Sequence, residues 1–147
     1  MTFETIQTIP APRDKVFAML TDPTVLQACI DGCEKMVRTS NDSYDAHLKI
    51  GAAGLKGSYV GKVQIKDKLV PESYTLALEG KGGPGWVKAT ARVRLADKQG
   101  ATELSCQADA QVGGLIAAVG SRLIEAVGKR LMTDFFTRFA DHAAKAQ

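Results

Sequence analysis

The sequence is poor in the residues that most often carry chemistry. Its 147 residues include two histidines and three cysteines, and neither set has the spacing of a metal site. His47 lies between Asp45 and Lys49 on an alternating stretch, and His142 stands near the end of the last helical pattern. Cys29 and Cys33 have no second pair and no nearby histidine, so four-coordinate zinc is not expected. An odd cysteine count, with no basic-then-apolar leader after Met1, predicts reduced thiols and a cytoplasmic setting. The motifs G-x-S-x-G, H-E-x-x-H and G-x-x-x-x-G-K-[ST] do not occur. Apolar runs are short, as in Leu115-Ile116-Ala117-Ala118-Val119, whereas a transmembrane helix needs about 20 such residues. One tryptophan, three tyrosines and five phenylalanines accompany a thinly spread net charge of +3. That is no footprint for nucleic acid.

What is present suits one soluble domain over residues 1–147, with 45% hydrophobic and 24% charged residues. Residues 2–9 alternate in polarity and read as a strand, ended by Pro10-Ala11-Pro12. Val16, Phe17, Met19 and Leu20 then fall at helical spacing after Pro12. Asp22 is placed to cap a second short helix carrying Val25, Leu26 and Ile30. From Cys33 to Val112 the period is two, as in Tyr44, Ala46, Leu48 and Ile50, and again in Tyr74, Leu76 and Leu78. Turn residues separate the runs at Asn41-Asp42, Asp67-Lys68, Pro71-Glu72, Gly82–Gly85 and Lys98–Gly100. After Gly113-Gly114, the apolar series Leu115, Val119, Leu123, Val127, Leu131, Phe135, Phe139 steps by four. It predicts one amphipathic helix to about residue 144, roughly 45 Å long at ~1.5 Å per residue.

The layout is α+β: a strand, two short helices, about six more antiparallel strands, and one long C-terminal helix. A curved sheet of seven strands can bury its inner face only around that helix. Many inward residues are small, among them Gly61, Gly80, Ala89, Ala91, Ala108 and Ala110. The helix adds Ala117, Ala118, Gly120, Ser121, Ala126 and Gly128. Interiors pack to ~0.74 density, so small residues must meet large ones or leave room. Two outcomes stand side by side. Either an apolar cavity lies between sheet and helix, or Tyr44, Tyr59, Tyr74, Trp86 and the helical phenylalanines fill it. The expected lining is Phe17, Leu26 and Ile30 from the short helices, with Tyr44, Leu48, Tyr59 and Leu76 from the first inner strands. Trp86, Ala89 and Ala108 follow from later strands, and Val119, Leu123, Val127 and Leu131 from the helix. Trp86, just past the glycine-rich hairpin, is expected at the cavity mouth, stacking on a planar ligand or sealing the end.

Several stretches together carry a family resemblance. Leu26-Gln27-Ala28-Cys29-Ile30-Asp31-Gly32-Cys33-Glu34 resembles the L-x-x-C-I-P-G-C-E signature of the family of the carbon monoxide dehydrogenase subunit CoxG. Lys56–Gly61, Gly80–Gly85, Gln111–Ala117, Gly120–Ile124 and Phe135–Phe139 match its pattern in order. Asp31 departs, standing where the family usually has proline. The resemblance implies the START-like (SRPBCC) helix-grip fold, with a curved seven-stranded antiparallel sheet around a long C-terminal helix and an apolar tunnel. It also implies an accessory without catalysis or a fixed cofactor, holding a quinone or lipid. Its implied partner is molybdenum carbon monoxide dehydrogenase or a related hydroxylase at the inner face of the membrane. The alternative within this superfamily is a polyketide cyclase or aromatase acting on a hydrophobic substrate. Its only inward hydroxyls would be those of Tyr44, Tyr59 and Tyr74. A purely structural protein with a filled core is the third reading.

Overall fold

Each alternating run becomes a strand of one antiparallel sheet. The strands are β1 (Thr2–Ile9), β2 (Cys33–Ser40), β3 (Ser43–Ile50), β4 (Gly57–Leu69), β5 (Ser73–Gly82), β6 (Gly85–Lys98) and β7 (Ala101–Gly113). Their order across the sheet is β1-β7-β6-β5-β4-β3-β2. The computed structural model describes residues 1–52 and 54–146 of the chain. The helices α1 (Arg13–Leu20) and α2 (Pro23–Cys29) follow β1, as the sequence predicts. Pro12 precedes α1 in extended conformation, where its missing N–H costs nothing. Asp22 caps α2, its Oδ1 accepting the Thr24 N–H at 2.9 Å.

Two boundaries differ from the sequence reading. Asp67-Lys68 is not a turn: β4 runs on to Leu69, and Asp67 (φ 52°) marks a bulge where the pairing with β5 shifts. The last helix also starts later. Residues Gly114–Val119 form a short 3-10 helix, and α3 spans Ser121–Lys145, 25 residues, or ~37 Å at ~1.5 Å per residue. Gly120 separates them with φ 99° and ψ 147°, a backbone state open to glycine. The step-of-four series therefore crosses a break. Ile116 N–H donates to the Pro84 carbonyl at 2.8 Å, pinning the 3-10 turn to the β5–β6 hairpin.

Register aligns the inward side chains in rows across the sheet. At the upper end, beside the β5–β6 hairpin, the row is Ala46, Gly61, Gly80, Val87, Val112. Below it run Tyr44, Val63, Leu78, Ala89, Ala110. Next come Ile65, Leu76, Ala91, Ala108 and Phe3, then Tyr74, Val93 and Cys106. The buried core is concentrated in these lower rows. It unites them with Val16, Phe17 and Leu20 of α1 and with Phe136, Phe139 and Ala143 of α3.

Candidate functional site

The phenylalanines gather at one end of the interior. All five phenylalanines lie in the lower half: Phe17, Phe136 and Phe139 within the core, with Phe3 and Phe135 packed against it. Their rings interlock. Phe135 stacks on Phe139 with centroids 6.2 Å apart and meets Phe136 edge-on at 5.0 Å, while Phe17 meets Tyr74 edge-on at 5.4 Å. Such geometry favours edge and offset contacts between rings.

The upper half contains none of these rings, and it is open over Gly80, while Ala46 and Gly61 in the same row are buried. Gly80 sits at the centre of the upper row, and a Cβ added there would find nothing within 4 Å. At Gly61 the nearest neighbours of an added Cβ would be the Glu79 carbonyl, the Ala46 carbonyl and the Ala46 Cβ, all in neighbouring strands. No atom of α3 is among them. Leu48, Val63, Leu78, Val87, Ala89, Ala110 and Val112 face this space and are only half-buried. The rows below them, with Ala91, Ala108, Val93 and Cys106, are buried.

Helix α3 packs against β1, α2 and the 3-10 turn. Arg138 reaches Asp31 beyond α2 at 3.5 Å, so the α2-facing side of α3 also carries Leu131 and Val127, two and three turns earlier at ~3.6 residues per turn. Leu123 and Leu131 are 38% and 37% exposed. A Cβ built on Gly54 would stand 3.0 Å from Val119 Cγ1 and 3.1 Å from Leu123 Cδ2. The β3–β4 loop thus lies close over the start of α3. That loop is held by Tyr59, whose buried hydroxyl donates to the Leu55 carbonyl at 2.6 Å.

The remaining inward hydroxyls are similarly placed. Tyr44 Oη donates to the Thr21 carbonyl at 3.4 Å and accepts from Arg38 Nη2 at 3.3 Å, tying β3 to the α1–α2 connection. Burial pushes the Tyr74 phenol well above its ordinary pKa, with a smaller contribution from Cys106. Burial likewise raises the Cys106 thiol to about 11 and raises Cys29, partly offset by Arg138. Besides the tyrosines and cysteines, Thr102 is the buried polar side chain among the described residues, and its hydroxyl donates to the Ala11 carbonyl at 2.7 Å. No charged side chain among the described residues is buried. Nor do three His, Cys, Asp or Glu side chains gather there as metal ligands.

The residues expected to line one cavity are therefore spread over distinct places. Leu48 and Ala89 face inward and are half-buried, Val119 and Leu123 lie beside Gly54, and Val127 and Leu131 of α3 are half-buried and exposed respectively. Leu76 and Ala108 form the floor of the open half, level with Phe3. Tyr44 and Tyr59 are buried at its sides, hydroxyls engaged. Phe17 and Leu26 are buried on the short helices, Phe17 deep in the closed half, and Ile30 caps the end of α2. Trp86 is a correction. Val87 faces inward, so Trp86 belongs to the outer face, 38% exposed, and a Cβ on Gly113 would fall inside its ring. The open-half residues Val63, Leu78, Val87, Ala110 and Val112 were absent from the expected lining; their inward parity was visible, but their row was not.

Two grooves also mark the outer face. One of about 430 Å³ is lined by polar and charged residues including Asp45, Lys62, Gln64 and Glu79, and one of about 250 Å³ lies beside Lys81, Trp86 and Lys88. Charged and open to solvent, they offer no apolar enclosure.

Comparisons with known proteins agree with this architecture. The model of the family described as the carbon monoxide dehydrogenase subunit CoxG matches residues 6–144. The crystal structure of a conserved protein from Geobacillus kaustophilus is similar, with 33% identity and a TM-score of 0.95 over 99% of this chain and 97% of that one. The Zhui aromatase/cyclase from Streptomyces sp. R1128 shares 15% identity, with a TM-score of 0.75 over 99% of this chain and 94% of that one. A START superfamily protein from Mycobacterium smegmatis shares 10% identity, with a TM-score of 0.71 over 99% of each chain. The last two show the fold alone. No curated protein matches the chain.

Proposed function

The chain belongs to the CoxG family of carbon monoxide dehydrogenase subunits, and from that premise we propose that it is a non-catalytic carrier of a hydrophobic molecule. The molecule, a quinone or another lipid, occupies the open upper half. The protein serves a molybdenum carbon monoxide dehydrogenase or related hydroxylase on the cytoplasmic side, bringing the enzyme and its membrane-held electron acceptor together. The observation that carries this reading is the unfilled space over Gly80, faced by half-buried apolar side chains.

Physical chemistry supports a carrier over a catalyst. Transfer of apolar surface from water is worth ~25 cal/mol per Å², so a greasy chain needs no charged anchor to bind. General acid–base work needs a free ionisable group within reach of the substrate. Here the Tyr44 and Tyr59 hydroxyls both donate to backbone carbonyls, and burial raises the Tyr59 phenol. Those commitments weigh against the cyclase alternative, despite the shared fold.

The test is organic extraction of natively purified protein followed by mass spectrometry, together with a pull-down. A near-stoichiometric hydrophobic molecule and co-purification of a molybdenum hydroxylase are expected. Protein that carries nothing, and takes up nothing from lipid vesicles, would refute the carrier role.

A further inference from the structure

The row Ile65, Leu76, Ala91, Ala108 and Phe3 crosses the sheet at one level, below the open space at Gly80 and above the dense row of Tyr74, Val93 and Cys106. Phe3 occupies the β1 end of that floor and presses on Gly128 of α3, where an added Cβ would stand 2.7 Å from its Cζ. Leu76 and Ala108 complete the floor in the same row. Resting on the carrier reading above, we infer that this layer is a length stop, admitting an apolar chain to a fixed depth and leaving any longer remainder outside the mouth with the polar head.

The depth follows from the register. On β4 the floor residue Ile65 lies four positions below Gly61 and six below Tyr59, or ~13–20 Å at ~3.3 Å per residue. An extended chain advances ~1.2 Å per bond, so about 11–16 bonds fit. Going deeper requires Phe3 to leave its contact with Gly128 and the buried Ile65, Ala91 and Ala108 to part, in a region packed without spare room. The head has no reason to follow, because no charged side chain among the described residues is buried to receive it. The class of ligand this geometry selects is an amphiphile with one flexible apolar chain, of which a defined first length is enclosed.

A homologous series tests the stop. Saturated fatty acids are titrated against the whole protein, with displacement of 1-anilinonaphthalene-8-sulfonate as the readout. From about eight carbons upward, Kd should fall about fourfold per methylene, the equivalent of ~0.8 kcal/mol per buried CH₂. The fall should level off at a chain of about 12–16 carbons, set by the bond count above. Leu76→Ala should move the break to longer chains. Ala89→Phe, which adds a ring to the open half without emptying the core, should move it to shorter ones. A steady fall to about twenty carbons at ~0.8 kcal/mol per CH₂ would overturn the stop while leaving the carrier intact. So would a break that Ala89→Phe leaves unmoved in protein with an unchanged circular-dichroism spectrum. No displacement at any length would overturn both readings.

Discussion

Phe3 on the first strand lies directly against Gly128 on the last helix: a Cβ at Gly128 would stand 2.7 Å from the Phe3 Cζ. This close approach sets where the helix meets the sheet, and it separates the closed lower half from the open upper one. Gly128 is thus a packing residue rather than a cavity-lining one. Gly128→Leu should destabilise the protein by ~1–3 kcal/mol, the usual cost of overpacking. Adding Phe3→Ala should recover part of that loss, since the larger side chain then has room. Urea denaturation of the single and double variants measures both terms, and strict additivity would contradict the contact.

The Tyr59 hydroxyl, bonded to the Leu55 carbonyl at 2.6 Å, should matter for stability. Tyr59→Phe leaves that carbonyl without its donor, at an expected cost of ~1–3 kcal/mol. Ligand uptake should persist, because the ring stays in place. A loss of stability below about 0.5 kcal/mol in denaturant titration would place the bond below an ordinary hydrogen bond.

Much of this architecture is readable from residue patterns. Polarity alternates cleanly in runs such as Tyr74, Leu76 and Leu78, so strand positions and inward faces follow directly. The same parity also places Trp86 outward, since Val87 is inward; its size and its position beside a glycine-rich loop suggest a site role that its parity denies. The step of four through Leu115 and Val119 mimics a helix that Gly120 interrupts. Leu115 is consequently 74% exposed. What periodicity does not contain is register. Whether Gly61, Gly80 and Val87 fall in one row depends on turn lengths and on the bulge at Asp67. Small and bulky residues are both plentiful among the inward positions. Only register reveals that the phenylalanines gather at one end while the space over Gly80 lies at the other.

The buried Cys106 thiol provides a pH signature. Its folded pKa of about 11 lies above the ordinary 9.0 because burial disfavours the thiolate. The unfolded chain therefore releases this proton first as pH rises. The contribution is complete below pH 9.0, declines between 9.0 and about 11, and amounts to no more than ~2–3 kcal/mol at ~1.4 kcal/mol per unit. Cys106→Ala should flatten the fall of stability across that window relative to the unmodified protein. Equal slopes in pH-dependent denaturation would contradict the assignment.

Trp86 is the chain's one tryptophan, so its fluorescence reports a single position. An outward, partly exposed indole should be quenched by acrylamide, and its emission maximum should stay unchanged when the interior is loaded with a fatty acid. Trp86→Ala should leave uptake intact. A blue shift on loading would place the ring against the ligand.

The most direct measurement concerns the empty space itself. Gly80→Leu inserts a large apolar side chain where an added Cβ finds no neighbour within 4 Å. If the upper half is hollow, the variant should unfold at an equal or higher temperature than the unmodified protein while hydrophobic uptake falls at least tenfold. A drop of several degrees in Tm, the mark of ~1–3 kcal/mol of overpacking, would mean that the space is already filled, and would contradict the account.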